Sequence, residues 1–283
     1  MGWKKLKMVS HSPQKHPLVS RRSLIQLAVL GVCLPAAHSA NAEIALATAI
    51  NRCARFRALS QRCVKAYAQV VLDVAPETAY KTLATAQRLI QTGFDELAQA
   101  NYSTEITQHI AATRSEANKL TALIAATPKL EQLSALSAQA DKFLNQANKA
   151  VELLTISAKS GNARIIDIAG RQRLLSQRMA KNHFLIAANV TSASARQQIE
   201  ADKADFKTAM ATLKKAPIST PGIRDDLELC SAQWVFFEAA LDLPRTRTDA
   251  LTNVASSSER LLEITNELVV KYEKALKDVL GTA

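Results

Sequence analysis

The sequence predicts an all-α protein, on three observations. Apolar residues make up 48% of the 283-residue chain, much of that Ala and Leu, while aromatics reach only 5%. Ala and Leu are the least costly helix residues, and no segment concentrates the β-branched and aromatic side chains that strands favour. Helix breakers are rare, with 7 Gly and 8 Pro, and between them run long amphipathic stretches.

The breaks delimit the elements in order. After the N-terminal region, prolines fall at Pro76, Pro128, Pro217, Pro221 and Pro244, and glycines at Gly93, Gly161, Gly170, Gly222 and Gly281. Helices are predicted over 43–74, 77–100, 103–126, 129–158, 163–191, 193–215, 222–243 and 247–280. "STEI" (Ser103–Ile106) and "TDAL" (Thr248–Leu251) offer capping residues with early acids. "AKSGN" (Ala158–Asn162) ends a helix with a cation followed by Gly161, the residue expected to take the left-handed conformation.

Residues 1–42 are expected to be an export signal. Six Lys/Arg and no acid occupy residues 1–22, Arg21–Arg22 precede the apolar stretch "LIQLAVLGVCLPAA", and "ANA" (Ala40–Ala42) fits a signal peptidase site. The stretch is short for a bilayer span, which needs ~20 residues. A twin-arginine signal cleaved after Ala42 and a periplasmic location follow. Removing it takes Lys plus Arg from 36 to 30 against 25 acids, and the net charge from +11 to +5, so a nucleic-acid partner loses its electrostatic support. No later segment is apolar enough to span a membrane.

The chain repeats itself. Aligning Ile50 with Ile166 gives eight identities in sixteen residues, and the same offset of 116 pairs Pro128 with Pro244. An offset of 118 then pairs "ADKFLNQAN" (Ala140–Asn148) with "SERLLEITN" (Ser258–Asn266). The reading is a duplicated four-helix unit, 43–160 and 161–283. Four antiparallel helices bring the chain back to its starting end, so the fifth helix begins beside the first. Two up-down bundles then lie side by side about a pseudo-two-fold axis along the helices, with the segments around Arg57 and Arg173 parallel and in contact.

The repeated helix carries two stripes. Ile165, Ile168, Gln172, Leu175, Met179, Asn182 and Ile186 form one, assigned to the core of the bundle. About 100° round the helix lie Ile166, Ala169/Gly170, Arg173, Gln177, Ala180, Phe184 and Ala188, with Ile50, Cys53/Ala54, Arg57, Gln61, Val64, Ala68 and Leu72 as their first-copy equivalents. This second face is expected to meet its twin. Five Lys/Arg and no acid lie between Ile44 and Leu72, and four and none between Ile168 and Val190. Cations at a seam without carboxylates on their own helices call for an anion. If the axis brings Arg57 and Arg173 together, two guanidinium forks face one gap, which suits a small planar oxyanion. Ala54 and Gly170, one turn earlier, leave room for it. Ser60, Ser176, Gln61 and Gln177 are secondary candidates for ligand contact, or residues of packing and capping. Arg55, Arg62, Arg171 and Arg178 lie off the seam and are expected to pair with acids of other helices or face solvent.

"IIDIAGRQRLLSQRMAK" (Ile165–Lys181) resembles the signature helix of the PilJ-type family, and "AINRCARFRALSQRCVK" (Ala49–Lys65) is a weaker match. That family comprises periplasmic four-helix sensor modules of type IV pilus methyl-accepting transducers and nitrate/nitrite sensor kinases. In the nitrate/nitrite sensors the anion sits between the two signature helices of a dimer, touched by the arginine three residues after the motif glycine. The resemblance implies two tandem copies, Arg173 and Arg57 as ligand-binding arginines, Gly170 and Ala54 at the glycine position, and nitrate or nitrite as ligand. With the last helix ending near Ala283, it also implies a sensor module separated from transmembrane, kinase and methyl-accepting parts, monomeric because both dimer halves share one chain, and read by a membrane sensor or transporter.

Other chemistries lack their residues. There is no nucleophile–base pair, HExxH motif or Gly-rich phosphate loop, so no catalysis and no cofactor is expected. After the signal the histidines are only His109 and His183, too few and too far apart for a metal site. Cys53 and Cys63 lie ~15 Å apart along one helix, too far for a disulfide, and with Cys230 they read as small buried thiols. The alternative function is a ligand-free helical interaction module of an envelope or pilus-associated assembly.

Overall fold

The structure is a computed structural model that describes residues 34–159, 161–191 and 193–281. The described residues form α1 (Leu34–Val71), α2 (Pro76–Leu97), α3 (Thr104–Ile124), a 3-10 turn (Leu130–Gln132), α4 (Leu133–Ala158), α5 (Gly161–Ala187), α6 (Ala193–Lys214), α7 (Pro221–Leu241) and α8 (Thr248–Gly281). The fold is all-α. The Arg21–Arg22 pair and residues 24–33 of the apolar stretch fall outside the described residues. α1 starts nine residues before the expected position and continues through Ala42.

Local chemistry sets the helix ends. Ser103 Oγ accepts the Ile106 amide and Thr220 Oγ1 the Ile223 amide, each capping a first turn, and Pro76 and Pro221 stand where a missing N–H costs nothing. α1 and α5 end alike. Asp73 and Asn189 take the left-handed conformation (φ 55° at both), and the amides of Val74 and Val190 reach back to the carbonyls of Gln69 and Leu185. These positions are related by the offset of 116, so the repeat extends into backbone geometry. The α4–α5 turn differs from expectation. Its left-handed residue is Lys159 (φ 48°), and Gly161 is the first residue of α5. The chain reverses two residues sooner, and Gly161 stands in open space, with nothing within 4 Å of where its Cβ would be.

α3 packs along α4, α5 along α6 and α8, and α7 along α8. α1 meets α2 where Phe56 stacks on Phe94 at 4.2 Å. The Phe56 ring fills the place of a Gly93 side chain, since a Cβ there would lie 2.6 Å from it. Gly93 interrupts a helix because an aromatic ring from α1 needs that space.

α1 and α5 are parallel neighbours. Gln61 and Lys181 both bond Asp141 of α4, at 3.3 and 3.0 Å. Lys65 and Gln177 both bond Ser258 of α8, at 3.0 Å each. Gly170 lies against Ala54, and these shared partners follow seven to eleven residues further along both helices, which requires the same direction. The two-stripe reading was too narrow: in α5 nearly every residue from Ala169 to Ile186 is buried, including Leu174, Ser176, Lys181 and His183. α1 is enclosed likewise, with Lys65 0% exposed. Helices buried on all sides occupy the centre of a fold, and their polar residues are there bonded to other helices.

One of these carries a pH dependence. His183 is buried with neither ring nitrogen bonded. Burial lowers its pKa to about 4, Arg245 and Lys203 acting in the same direction and Asp242 against it. The unfolded chain binds this proton near pH 6.5 and the folded protein only near 4, so stability is complete above 6.5 and declines as pH falls to 4. Thermal melts across that window are expected to show the decline in the wild type and a flatter profile in His183→Leu.

Candidate functional site

The site lies where α1 and α5 approach most closely. A Cβ added to Gly170 would stand 3.2 Å from the Ala54 Cβ, 3.1 Å from Arg173 Nη2 and 3.8 Å from Arg57 Nη2. Small residues allow the backbones to close in, and helical side chains lean toward the N-terminus. Both arginines therefore bring their guanidinium groups back over Gly170. The structure thus gathers Arg57, Arg173, Ala54 and Gly170 in one place.

The two arginines have different partners. Arg57 Nη2 donates to Asp167 Oδ1 at 2.6 Å, a charged pair between α1 and α5. Arg173 Nη2 donates to Asn51 Oδ1 at 2.6 Å, and its Nη1 to Asn266 Oδ1 at 3.2 Å. Asn51 and Asp167 are equivalent positions of the repeat, so the arrangement is reciprocal in geometry and unequal in charge. Arg57 has a carboxylate; Arg173, 1% exposed, has two neutral amides and no ion pair among the described residues.

This asymmetry governs the electrostatics. Burial lowers the Arg173 pKa to about 9, with Arg55 and Arg57 adding to the effect and Glu273 opposing it. A guanidinium does not release its proton in proteins, so the shift expresses a charge in want of a counterion. Donors around it are also left over: Arg57 Nε and Arg173 Nε are buried without acceptors, while Asn51 bonds Glu273. Most buried polar groups in folded proteins are bonded, so two unused guanidinium donors lie beside a cation without an ion pair.

The secondary candidates are engaged elsewhere. Ser60 and Ser176 each donate to the carbonyl of the arginine three residues earlier, at 2.8 and 3.0 Å. Gln61 and Gln177 bond Asp141 and Ser258. The two glutamines tie the central helices to α4 and α8, and the two serines bond within their own helices. Off the seam, Arg62 pairs with Glu259, Arg171 with Asp205 and Arg178 with Asp202. Arg55 is flanked by Glu96 and Glu273. Cys53, Cys63 and Cys230 are buried free thiols whose pKa burial pushes up to about 12.

Four residues absent from the expected site matter. Asn51 and Asp167 decide the charge balance, and the acid-free span counted from Ile168 starts one residue after Asp167. Lys65 and Lys181, with reciprocal partners Glu259 (2.5 Å) and Asp141 (3.0 Å), link each central helix to the other half of the chain. The visible signal was the alignment itself, which sets Asn51 against Asp167 and Asp141 against Glu259.

A larger groove, about 530 Å³, lies between α4, α5 and α6, lined by Ser137, Asp141, Asn145, Arg178, Lys181 and Asn182. Both its cations are already paired with carboxylates. That groove has the volume; the unmatched charge and the unmatched donors lie at the seam.

The charged groups of this helical bundle lie between two equivalent central helices. Residues 154–258 match the model of the PilJ family, described as type IV pili methyl-accepting chemotaxis transducer N-term. The matched segment runs from the end of α4 into the first third of α8, covers a little over a third of the chain, and includes Gly170 and Arg173 but not Arg57. The family is one of signalling domains and not of enzymes. No curated protein and no solved structure matches the chain. Among the described residues no helix is long and apolar enough to cross a membrane.

Proposed function

We propose that the protein is a periplasmic sensor that binds one small oxyanion between α1 and α5 without catalysis. Residues 1–42 are its twin-arginine export signal, and 43–160 and 161–283 are two PilJ-like units that together make one site. The observation that carries this reading is the buried Arg173 guanidinium, bonded to neutral Asn51 where its equivalent Arg57 has Asp167. One uncompensated positive charge favours a monovalent anion, and two guanidinium groups over a glycine favour a small planar one. Nitrate and nitrite meet both conditions and agree with the family resemblance. Gly170, Ala54, Arg57 and Arg173 are the binding residues; the Ser and Gln pairs act through the helices. Occupancy shifts α1 against α5, and the ionic links Lys65–Glu259 and Lys181–Asp141 carry the shift to α8 and α4, for a membrane sensor or transporter to read.

The test is a thermal titration of the purified protein with nitrate, nitrite, sulfate and phosphate. An anion at a hundred times its dissociation constant adds ~2.7 kcal/mol. Stabilisation by nitrate or nitrite beyond that by sulfate is expected. No stabilisation by any of the four would return the protein to the ligand-free interaction module.

A further inference from the structure

α7 is amphipathic on two sides. Its inner side buries Ile223, Leu227, Cys230, Trp234 and Phe237. Its outer side carries Asp225, Leu229, Ala232, Phe236, Ala239 and, just past the helix end, Leu243, every one exposed. The intervals alternate between four and three residues, the spacing of a coiled-coil seam. Phe236 is 68% exposed, Leu229 56% and Leu243 37%. A lone exposed Leu is unremarkable, but large apolar residues repeated at heptad spacing form a patch that marks an interaction surface.

We propose that this face joins two copies of the chain in an antiparallel, two-fold-symmetric dimer centred on Phe236. Three features favour a second copy over another partner. The seam is a palindrome in size: about Phe236, Leu229 faces Leu243 of the other copy, and the alanines at 232 and 239 leave gaps beside the large residues. A groove of about 360 Å³ adjoins the ring, lined by Gln233, Ala239, Ala240, Leu243 and Arg260, so each copy offers both an aromatic knob and a socket. A surface that is its own complement is what an isologous interface requires. The charges agree with the antiparallel direction. Asp225 and Glu228 flank the N-terminal end and Arg245 and Arg247 the far end, and Asp225 and Arg245 take part in no ion pair among the described residues. Glu228 and Arg247 are already paired with Lys214 and Asp249, so the free charges are Asp225 and Arg245; antiparallel pairing brings each Asp225 to the end that carries Arg245 of the other copy, and parallel pairing sets like against like. The surface is separate from the α1–α5 seam, so its fate does not depend on an anion. The monomer expected from the sequence rested on that seam alone.

The experiment is sedimentation velocity of the full chain over a series of micromolar concentrations. A species of twice the chain mass that grows with concentration is expected. Phe236→Glu should abolish it without changing the helical circular dichroism or the melting temperature, because Phe236 is exposed. Ile156→Glu, at a 64% exposed position on α4, should leave the dimer intact. Register is tested by cysteines under mild oxidation. Leu229→Cys mixed with Leu243→Cys should cross-link, and Leu229→Cys alone should not. A chain that stays monomeric throughout overturns the proposal and leaves the face to a different protein. A dimer that survives Phe236→Glu, or self-cross-linking of Leu229→Cys, overturns it equally.

Discussion

Arg173→Ala is expected to weaken oxyanion binding by about ten- to a hundred-fold, as loss of a charge-assisted hydrogen bond worth ~1.5–3 kcal/mol implies. The empty protein should be as stable as before or more so, because the charge removed is buried, opposed by Arg55 and Arg57, and matched by no carboxylate contact. Arg171→Ala is the control, since that side chain is half exposed and paired with Asp205. Equal losses in the two variants would mean a response to general positive charge and would sink the site. Asn51→Asp gives the sharper result. It places on Arg173 the carboxylate that Arg57 already has in Asp167, at an atom now 2.6 Å from the guanidinium. An internal anion then competes with the external one. Affinity should fall while the melting temperature of the empty protein rises, a pairing of effects that simple damage to the fold does not produce. Isothermal titration and thermal melts of the same samples read both.

The largest loss of stability is expected from Glu259→Gln. Glu259 holds Lys65 and Arg62 together, and Lys65 is 0% exposed. Burial raises the Glu259 pKa, yet the two cations outweigh it and hold it at about 2. Breaking one partner of a buried pair leaves a charge without water or counterion, at a cost of about 3–5 kcal/mol. Adding Lys65→Met should recover much of it, since Arg62 is closer to solvent and can rehydrate. Urea unfolding of the single and double variants decides the matter; a double variant no better than the single one would show that Glu259 matters for shape and not for charge. The pair also sets an acid limit. The contribution of Glu259 is complete above its unfolded value of 4.5 and fades as pH falls toward 2, below the window assigned to His183.

The positions of the helices were legible because prolines and glycines are few and stand at the turns. The pairing of α1 with α5 was legible because the same phrase occurs twice and four helices return the chain to its start. Two matters were not. In sequence Lys65 and Lys181 are only cations of acid-free spans, and Ser176 and Gln177 only secondary candidates for ligand contact or packing; the enclosing α4 and α8 make them interior residues with partners. The partners of the arginines were obscured by direction. A long side chain on a helix leans back toward the N-terminus, so the residue that meets Arg57 lies six residues before its equivalent, outside the stripe drawn at its own level. The left-handed Lys159 was missed for a simpler reason: a nearby glycine is the better candidate until the tightness of the reversal is known.

Joining both halves in one chain frees them from copying each other. In a homodimer every substitution at the axis arrives twice, so Asp at the position of Asn51 and Asp167 would neutralise both arginines and Asn would neutralise neither. Here a single gene places one of each. The seam can hold an odd charge, and in the proposed sensor an anion bound there would lie off the axis, nearer one helix than the other. Its arrival would push unequally on α1 and α5, giving the bundle a preferred direction of movement that a symmetric pair would have to find by chance.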